Sequence, residues 1–244
     1  GCVTASLTCQ WLTAEVVACV AGAPVLALDI PSGLDADRGQ PMGCAVKASV
    51  TITFIGSKLG LHTAAAPQFC GALFFAGLNV PQAAVDGVEP IATNIQQADI
   101  DKALPARDAD SHKGSHGHVL IIGGDHGMGG AVRLAVEAAL RSGAGKVSVA
   151  TRAEHIAPIL AASPEAMPFA VDKPADLEAM LEQANVVAIG CGLGLGEWGR
   201  QLWRKVKGLD RPLVVDADAL TLLAEKPENC PQWLLTPHPG EAAR

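Results

Sequence analysis

Residues 118–150 read HVLIIGGDHGMGGAVRLAVEAALRSGAGKVSVA. His118 to Ile122 is an apolar run of strand length, and it ends at the glycine-rich loop Gly123-Gly124-Asp125-His126-Gly127-Met128-Gly129-Gly130. Ala131 to Ser142 then carries apolar residues at helical spacing and stops at Gly143, and Lys146 to Ala150 reads as a second strand. A strand, a tight turn, a helix and another strand make a βαβ unit, whose strands lie parallel in one sheet. The alternation continues along the chain. Val186 to Ile189, Leu213 to Val215 and Trp233 to Leu235 read as further strands, and 176–184, 197–207 and 218–225 as helices between them. The strand runs are apolar at successive positions, as expected when both faces of a parallel sheet are covered. An α/β fold with a mostly parallel sheet follows.

Toward the amino end, Pro24 to Ile30 reads as a short buried strand closed by the breaker cluster Pro31-Ser32-Gly33. Val50 to Ile55 is a β-branched strand ending at Gly56, and Leu73 to Ala76 a third. Residues 81–93 (PQAAVDGVEPIAT) lose all periodicity and carry two prolines, which marks a boundary. Two domains are expected, 1–93 and 94–244. That suits a chain of 244 residues at roughly 150 per domain.

A formal net charge of −7 and the lack of any Tyr weigh against partners with a phosphate backbone or stacked bases. The longest apolar run, Val16 to Leu28, is broken by Gly22 and Pro24 and falls short of the ~20 residues that span a bilayer. No Lys or Arg precedes Arg38, so the basic region of a secretion signal is missing. A soluble, cytoplasmic protein without nucleic-acid or membrane partners is expected. The seven cysteines are odd in number and include no Cys-x-x-Cys pair, so they read as small buried hydrophobes. The chain opens at Gly1 in mid-pattern, as an internal piece of a longer protein would.

In open α/β sheets, ligands bind beyond the carboxyl ends of the strands, so the residues after each strand are the candidates. Asp29 closes an apolar run, either as a functional carboxylate or as the cap of the following turn. The loop 123–130 opens a helix and offers backbone N–H groups to an anion or polar ligand, or is simply a tight turn. It is neither the dinucleotide fingerprint, which from Gly127 and Gly129 requires Gly where Val132 stands, nor a Walker loop, since no Lys-Ser follows. His112, His116, His118 and His126 crowd together, but Lys113 lies among them and no His-Glu-x-x-His is present, which weighs against a metal. Gly190-Cys191-Gly192-Leu193-Gly194 is a second close-approach loop. Asp218 reads as the N-cap of the next helix. His238, clamped between Pro237 and Pro239, has a fixed backbone and reads as functional.

In this order along the chain, the signals resemble the bifunctional NAD(P)H-hydrate repair family, an epimerase domain fused to an ADP-dependent dehydratase. ALDIPSGLDADRG (27–39) and ITFIGSKLGL (52–61) resemble the closing half of the epimerase. SHKGSHGHVLIIGGDHGMGGAVRLAVEAALRSGAGKVSVAT (111–151), VVAIGCGLG (186–194), VVDADAL (214–220) and LTPHPGEAAR (235–244) resemble the opening half of the dehydratase. The resemblance implies the end of a Rossmann-like domain followed by the first part of a ribokinase-like domain. It implies epimerisation of the R and S hydrates of NADH and NADPH, and ADP-dependent dehydration of the S-hydrate back to NAD(P)H.

Carried over by position, Asp29 matches the aspartate that contacts the hydrated nicotinamide and handles proton transfer in the epimerase. Ser32 matches a ligand of its potassium ion. Ala131, Gly194 and His238 match substrate contacts of the dehydratase, and Cys191 stands where the family usually has Pro. ADP is the implied phosphate donor with ATP as its alternative, magnesium is compatible with either, and a homo-oligomer is compatible with the whole. The family's Asn-Asn-Gly-Gly-Asp loop, its ADP-holding Lys-Gly segment and the Gly-Asp motif with its catalytic base have no counterpart here. The chain by itself is therefore expected to be an inactive fragment. Two other classes remain open: a ribokinase-like small-molecule kinase that stops at a phosphorylated alcohol, and a nucleotide-binding module without turnover. Geometrically, Asp29 is expected at the carboxyl end of a buried strand facing a cleft with Ser32 nearby, and Ala131, Gly194 and His238 along one sheet edge.

Overall fold

The computed structural model describes residues 22–104 and 106–243. The chain divides into two compact units, 1–105 and 106–244. The junction expected at 93–94 precedes the helix Gln97–Ala103, which groups with the first unit. Cys2, Cys9, Cys19 and the start of the apolar run 16–28 lie outside the described residues. No helix among the described residues is long and apolar enough to cross a membrane.

In the first unit, β1 (Leu26–Leu28), β2 (Val50–Phe54) and β3 (Ala72–Ala76) form a parallel sheet in the order β1-β2-β3. Leu26 lies opposite Val50, and Val50 opposite Ala72. β1 is shorter than the apolar run that encodes it, because Asp29 adopts a left-handed backbone (φ 71°) and ends the extended chain. Ile55 does the same after β2 (φ 64°). Leu34, Leu61, Ala66 and Cys70 make a small core with Ile30, Phe69 and Leu73.

The second unit is a six-stranded sheet of β4 (His118–Ile122), β5 (Lys146–Thr151), β6 (Met167–Ala170), β7 (Val186–Ile189), β8 (Leu213–Val215) and β9 (Trp233–Leu235). Its order is β6-β5-β4-β7-β8-β9, and every pair is parallel. Leu120 and Ile122 belong to one core with Trp198, Leu202 and Trp203 of the helix Glu197–Val206 and Leu220 and Leu223 of the helix Ala217–Glu225. Ile121 belongs to the other, with Val132 and Val136 of the helix Gly129–Arg141 and Ile159 of the helix Ile156–Ala162. That is why β4 is apolar at every position from Val119 to Ile122. Each such fully buried side chain contributes about 2 kcal/mol of burial.

The sequence reading missed the helix Ile156–Ala162 and β6, because Pro158, Pro164 and Pro168 interrupt the pattern there. Both places tolerate proline for physical reasons. Pro158 sits in the first helical turn, where the missing N–H has no intrahelical acceptor, and β6 is an edge strand. From β4 the chain builds β5 and β6 on one side, then crosses to build β7, β8 and β9 on the other. The β4–β7 pair is thus the topological switch point, and the crevice beyond its carboxyl end is where such sheets take ligands.

Candidate functional site

At that switch point the loops after β4 and β7 interlock. The Gly124 N–H donates to the Cys191 carbonyl at 3.1 Å, and the Asp125 N–H to the Gly192 carbonyl at 2.7 Å. Contact this close excludes side chains. A Cβ on Gly123 would lie 2.2 Å from the Cys191 oxygen, and one on Gly190 (φ 128°) only 1.8 Å from the Asp216 oxygen.

The exit of β5 clamps the same loop from the other side. Thr151 Oγ1 donates to the Gly124 carbonyl (3.0 Å), and Arg152 Nε to Asp125 Oδ1 (2.8 Å). The Arg152 guanidinium also lies 4.3 Å over the Trp198 ring. His155 Nε2 is 3.1 Å from the Asp125 carbonyl, which only accepts, so that nitrogen bears the hydrogen. Glu154 accepts from His126 Nδ1 (3.1 Å) and the Gly127 N–H (3.3 Å), and these two bonds hold its carboxyl below the usual range. Arg152, Glu154 and His155 escaped the sequence reading, which assigned the strand at 146–150 but did not inspect the residues at its exit.

The exit of β8 supplies two carboxylates. Asp218 Oδ2 accepts from the Gly194 N–H at 2.8 Å. Asp218 is therefore not the expected N-cap: the helix starts at Ala217, the cap position belongs to Asp216, and Asp218 in the first turn turns to the neighbouring loop. Asp216 Oδ1 accepts from Thr236 Oγ1 (2.8 Å), and its Oδ2 from Cys191 Sγ (3.4 Å). Burial first, and then the Asp216 carboxylate, pushes the Cys191 thiol up to about 11. Cys191 is thus more than the apolar filler expected of it, whereas Cys70 is buried in the first unit's core.

Ala131 lies in the first turn of the helix 129–141, its Cβ 3.2 Å from where a Cβ on Gly192 would sit. Gly194 lies between Asp218 and Asp125, whose Oδ2 would be 3.0 Å from an added Cβ. The loops of these two residues therefore share one place. His238 follows β9 at the same sheet edge and connects to them through Thr236 and Asp216. Its side chain is 67% exposed, its Nδ1 accepts from the Gly240 N–H (3.0 Å), and its own N–H donates to Glu241 Oε2 (3.0 Å). His238 thus caps the short helix Pro239–Ala242, a role the sequence reading did not consider. With Nδ1 accepting, the neutral ring carries its hydrogen on Nε2.

The other three histidines of the 112–126 cluster take separate partners. His118 meets Ser148 Oγ (2.8 Å), His116 meets Ser111 Oγ (3.1 Å), and His112 accepts from the Gly114 N–H (3.1 Å). Among the described residues no group of three or more His, Cys, Asp or Glu is placed to hold a metal.

In the first unit, Asp29 stands just past the carboxyl end of β1. Its Oδ1 accepts from Thr53 Oγ1 (3.2 Å), the Phe54 N–H (3.1 Å) and Lys58 Nζ. Burial raises the Asp29 carboxyl, but the Lys58, Phe54 and Thr53 donors together outweigh it and hold it below its ordinary value. Lys58 also lines a cavity of about 630 Å³ with Thr53, Ser57, His62, Leu73 and Phe74. Asp29 is joined to that cavity through Lys58 rather than lining it. Ser32 sits in the turn after Asp29, and its carbonyl accepts from the Val46 N–H (2.9 Å).

A depressed folded-state pKa means that Asp29 stabilises the fold above its unfolded pKa and stops doing so as pH falls through the folded one. Carboxyl-resolved NMR titration should find Asp29 among the lowest carboxyls of the first unit, and Lys58→Met should raise it. An unchanged Asp29 titration in Lys58→Met would contradict this geometry.

Paired glycine loops at the switch point of a doubly wound parallel sheet mark where α/β proteins of this class take ligands. Comparison with known proteins narrows that class. A family model described as NAD(P)H-hydrate dehydratase matches residues 119–244, and one described as YjeF-related protein N-terminus matches residues 6–60. The chain belongs to the NAD(P)H-hydrate dehydratase family. It is 50% identical over 224 residues to a bifunctional NAD(P)H-hydrate repair enzyme of Coxiella burnetii, covering 92% of this chain and 46% of that one. It thus spans about half the length of the curated relatives it matches.

Among solved structures, it is similar to the Bacillus subtilis ADP/ATP-dependent NAD(P)H-hydrate dehydratase co-crystallised with ATP and Mg2+. That match has a TM-score of 0.53 at 36% identity, over 61% of this chain and 54% of that one. A ribokinase-like superfamily protein of Enterococcus faecalis gives a TM-score of 0.53 at 34% identity, over 56% of this chain and 50% of that one. The second unit is accordingly ribokinase-like.

Proposed function

We propose that the chain serves the repair of hydrated nicotinamide nucleotides. Residues 94–244 take hydrated NADH or NADPH for ADP-dependent dehydration back to NAD(P)H, and residues 1–93 contribute to interconverting the R and S hydrates. The observation that carries this is the pair of interlocked glycine loops at the switch point of a sheet matching the dehydratase family. Gly194 contributes room, because its N–H is already engaged by Asp218. Ala131 presents a small methyl at the helix start. His238 carries its hydrogen on Nε2, which faces Glu241 Oε1 at 3.3 Å, and an oxygen of the hydrated ring or its carboxamide would take that donor over from the carboxylate.

In the first unit three donors occupy Asp29 Oδ1, so Oδ2 is the atom left to meet a substrate hydroxyl. The Ser32 hydroxyl suits the oxygen preference of potassium. No described residue is assigned to ADP, which when bound supplies the phosphoryl group that makes the ring hydroxyl a leaving group, with magnesium accompanying it. A cytoplasmic homo-oligomer is compatible with this reading.

Calorimetric titration with hydrated NADH tests it. The chain should bind, and His238→Ala should weaken binding at least tenfold, about 1.4 kcal/mol, while melting changes little. Equal affinity in a variant that melts earlier would mean that His238 is only a helix cap.

A further inference from the structure

We propose that Asp216 is a positioning residue that fastens the loop carrying Gly194 to the loop carrying His238, with Cys191 as this chain's own point of attachment. This rests on reading Gly194 and His238 as contacts for the hydrated nucleotide. One carboxylate spans the exits of three adjacent strands. It stands after β8, accepts the Cys191 thiol after β7 through Oδ2, and accepts the Thr236 hydroxyl after β9 through Oδ1.

The Thr236 hydroxyl has one hydrogen and two acceptors within reach, Asp216 Oδ1 at 2.8 Å and the Val215 carbonyl at 3.3 Å. The shorter contact goes to the charged partner, which makes the stronger bond. Thr236 is two residues from His238, and β9 is a three-residue edge strand paired only with β8. A tie at Thr236 therefore governs where the His238 loop begins. On the other side, Cys191 lies between Gly190 (φ 128°) and Gly192 (φ 61°). Glycine on both sides gives this segment wide intrinsic freedom, which the Gly124 N–H to Cys191 carbonyl and Asp125 N–H to Gly192 carbonyl bonds limit from the β4 side only.

A Pro at this position would fix φ through its ring without any side-chain bond. Cys cannot restrain the backbone in that way. Its thiol, kept protonated at neutral pH, supplies the restraint by donating to Asp216 instead. Asp218 completes the arrangement by holding the Gly194 N–H.

The test uses the 244-residue chain, hydrated NADH as the probe and iodoacetamide alkylation followed peptide by peptide by mass spectrometry. Asp216→Asn removes the charge that opposes the thiolate, so Cys191 should alkylate about tenfold faster, the effect of one unit in thiol pKa. Thr236→Val should leave alkylation unchanged but weaken hydrated-NADH binding several-fold, because it cuts only the tie to the His238 loop. Cys191→Ala should weaken binding, and Cys191→Pro should restore it, a rescue that no purely structural cysteine predicts.

Unchanged alkylation in Asp216→Asn, or native affinity in folded Thr236→Val and Cys191→Ala, overturns the proposal. If the native chain binds no hydrated NADH, the nucleotide reading fails. The fastening itself is then decided by alkylation and by amide exchange at Gly194 and His238, which should quicken in Asp216→Asn and whose constancy would reject it.

Discussion

Gly190→Ala should cost the second unit about 3 kcal/mol or more, a large part of an ordinary domain's stability. Two effects add at this position. The backbone sits at φ 128°, where a side chain is strained whatever the space, and the new Cβ would stand 1.8 Å from the Asp216 carbonyl and 3.0 Å from the Ala219 Cβ. Neither neighbour can yield cheaply. The first is main chain at the end of β8, and the second is fully buried within the core. Relief would require β7 and β8 to part where the ligand loops leave them, so the site should loosen along with the fold. Gly208→Ala is the matched control, since a Cβ there meets nothing within 4 Å. Equilibrium urea unfolding of the two variants measures the difference. A loss below about 1 kcal/mol in Gly190→Ala would show that the two loops are not packed backbone to backbone.

The second large effect is expected at Arg152. Its side chain is 16% exposed and pairs with Asp125, 20% exposed, while its guanidinium covers the Trp198 ring. Arg152→Ala strands a half-buried carboxylate inside the 123–130 loop and uncovers an aromatic face. A loss of about 2–4 kcal/mol is expected, near the lower end for breaking a buried pair because both groups keep some water. Arg152→Lys should recover only part of it, since an ammonium keeps the charge but not the planar fork or its stacking. A double-mutant cycle with Asp125→Ala isolates the pair, and additive losses would mean that Arg152 acts through Trp198 and Asp172, whose Oδ1 lies 3.6 Å from Nη1, instead. Hydrogen exchange should localise the damage to Gly124 and Asp125, whose N–H groups join the two loops.

Strands buried on both faces were legible in the sequence because nothing competes with their apolar signal. β4, β7 and β8 fall at 118–122, 186–189 and 213–215, where the pattern puts them, and the edge strand β9 was legible at 233–235 because no proline interrupts its apolar run. β6 was not legible, since an edge strand needs no unbroken ladder and admits Pro168. At the sites, the residues that follow strands were legible, but their partners were not. Nothing near Asp29 announces Lys58, which reaches it only because the parallel register of β1 and β2 brings their exits together. Asp216 and Asp218 looked alike in Asp216-Ala217-Asp218, and only the position of the helix start separates their roles. His238 shows the opposite limit. One sequence pattern encodes both a helix cap and a candidate ligand contact, and structure adds the first role without removing the second.

The left-handed turn at Ile55 has a consequence for anyone altering this protein. A β-branched residue is poorly suited to φ 64°, and its side chain is about half in water, so it gains little packing in return. An engineer seeking thermal robustness would be drawn to it, because Gly or Asn relaxes such a torsion. Yet Lys58 hangs from the same turn, three residues on, and reaches Asp29 from it. A softer backbone at Ile55 frees Lys58 to swing away as well as relieving strain. Durability and site order are traded against each other at a single bond rotation.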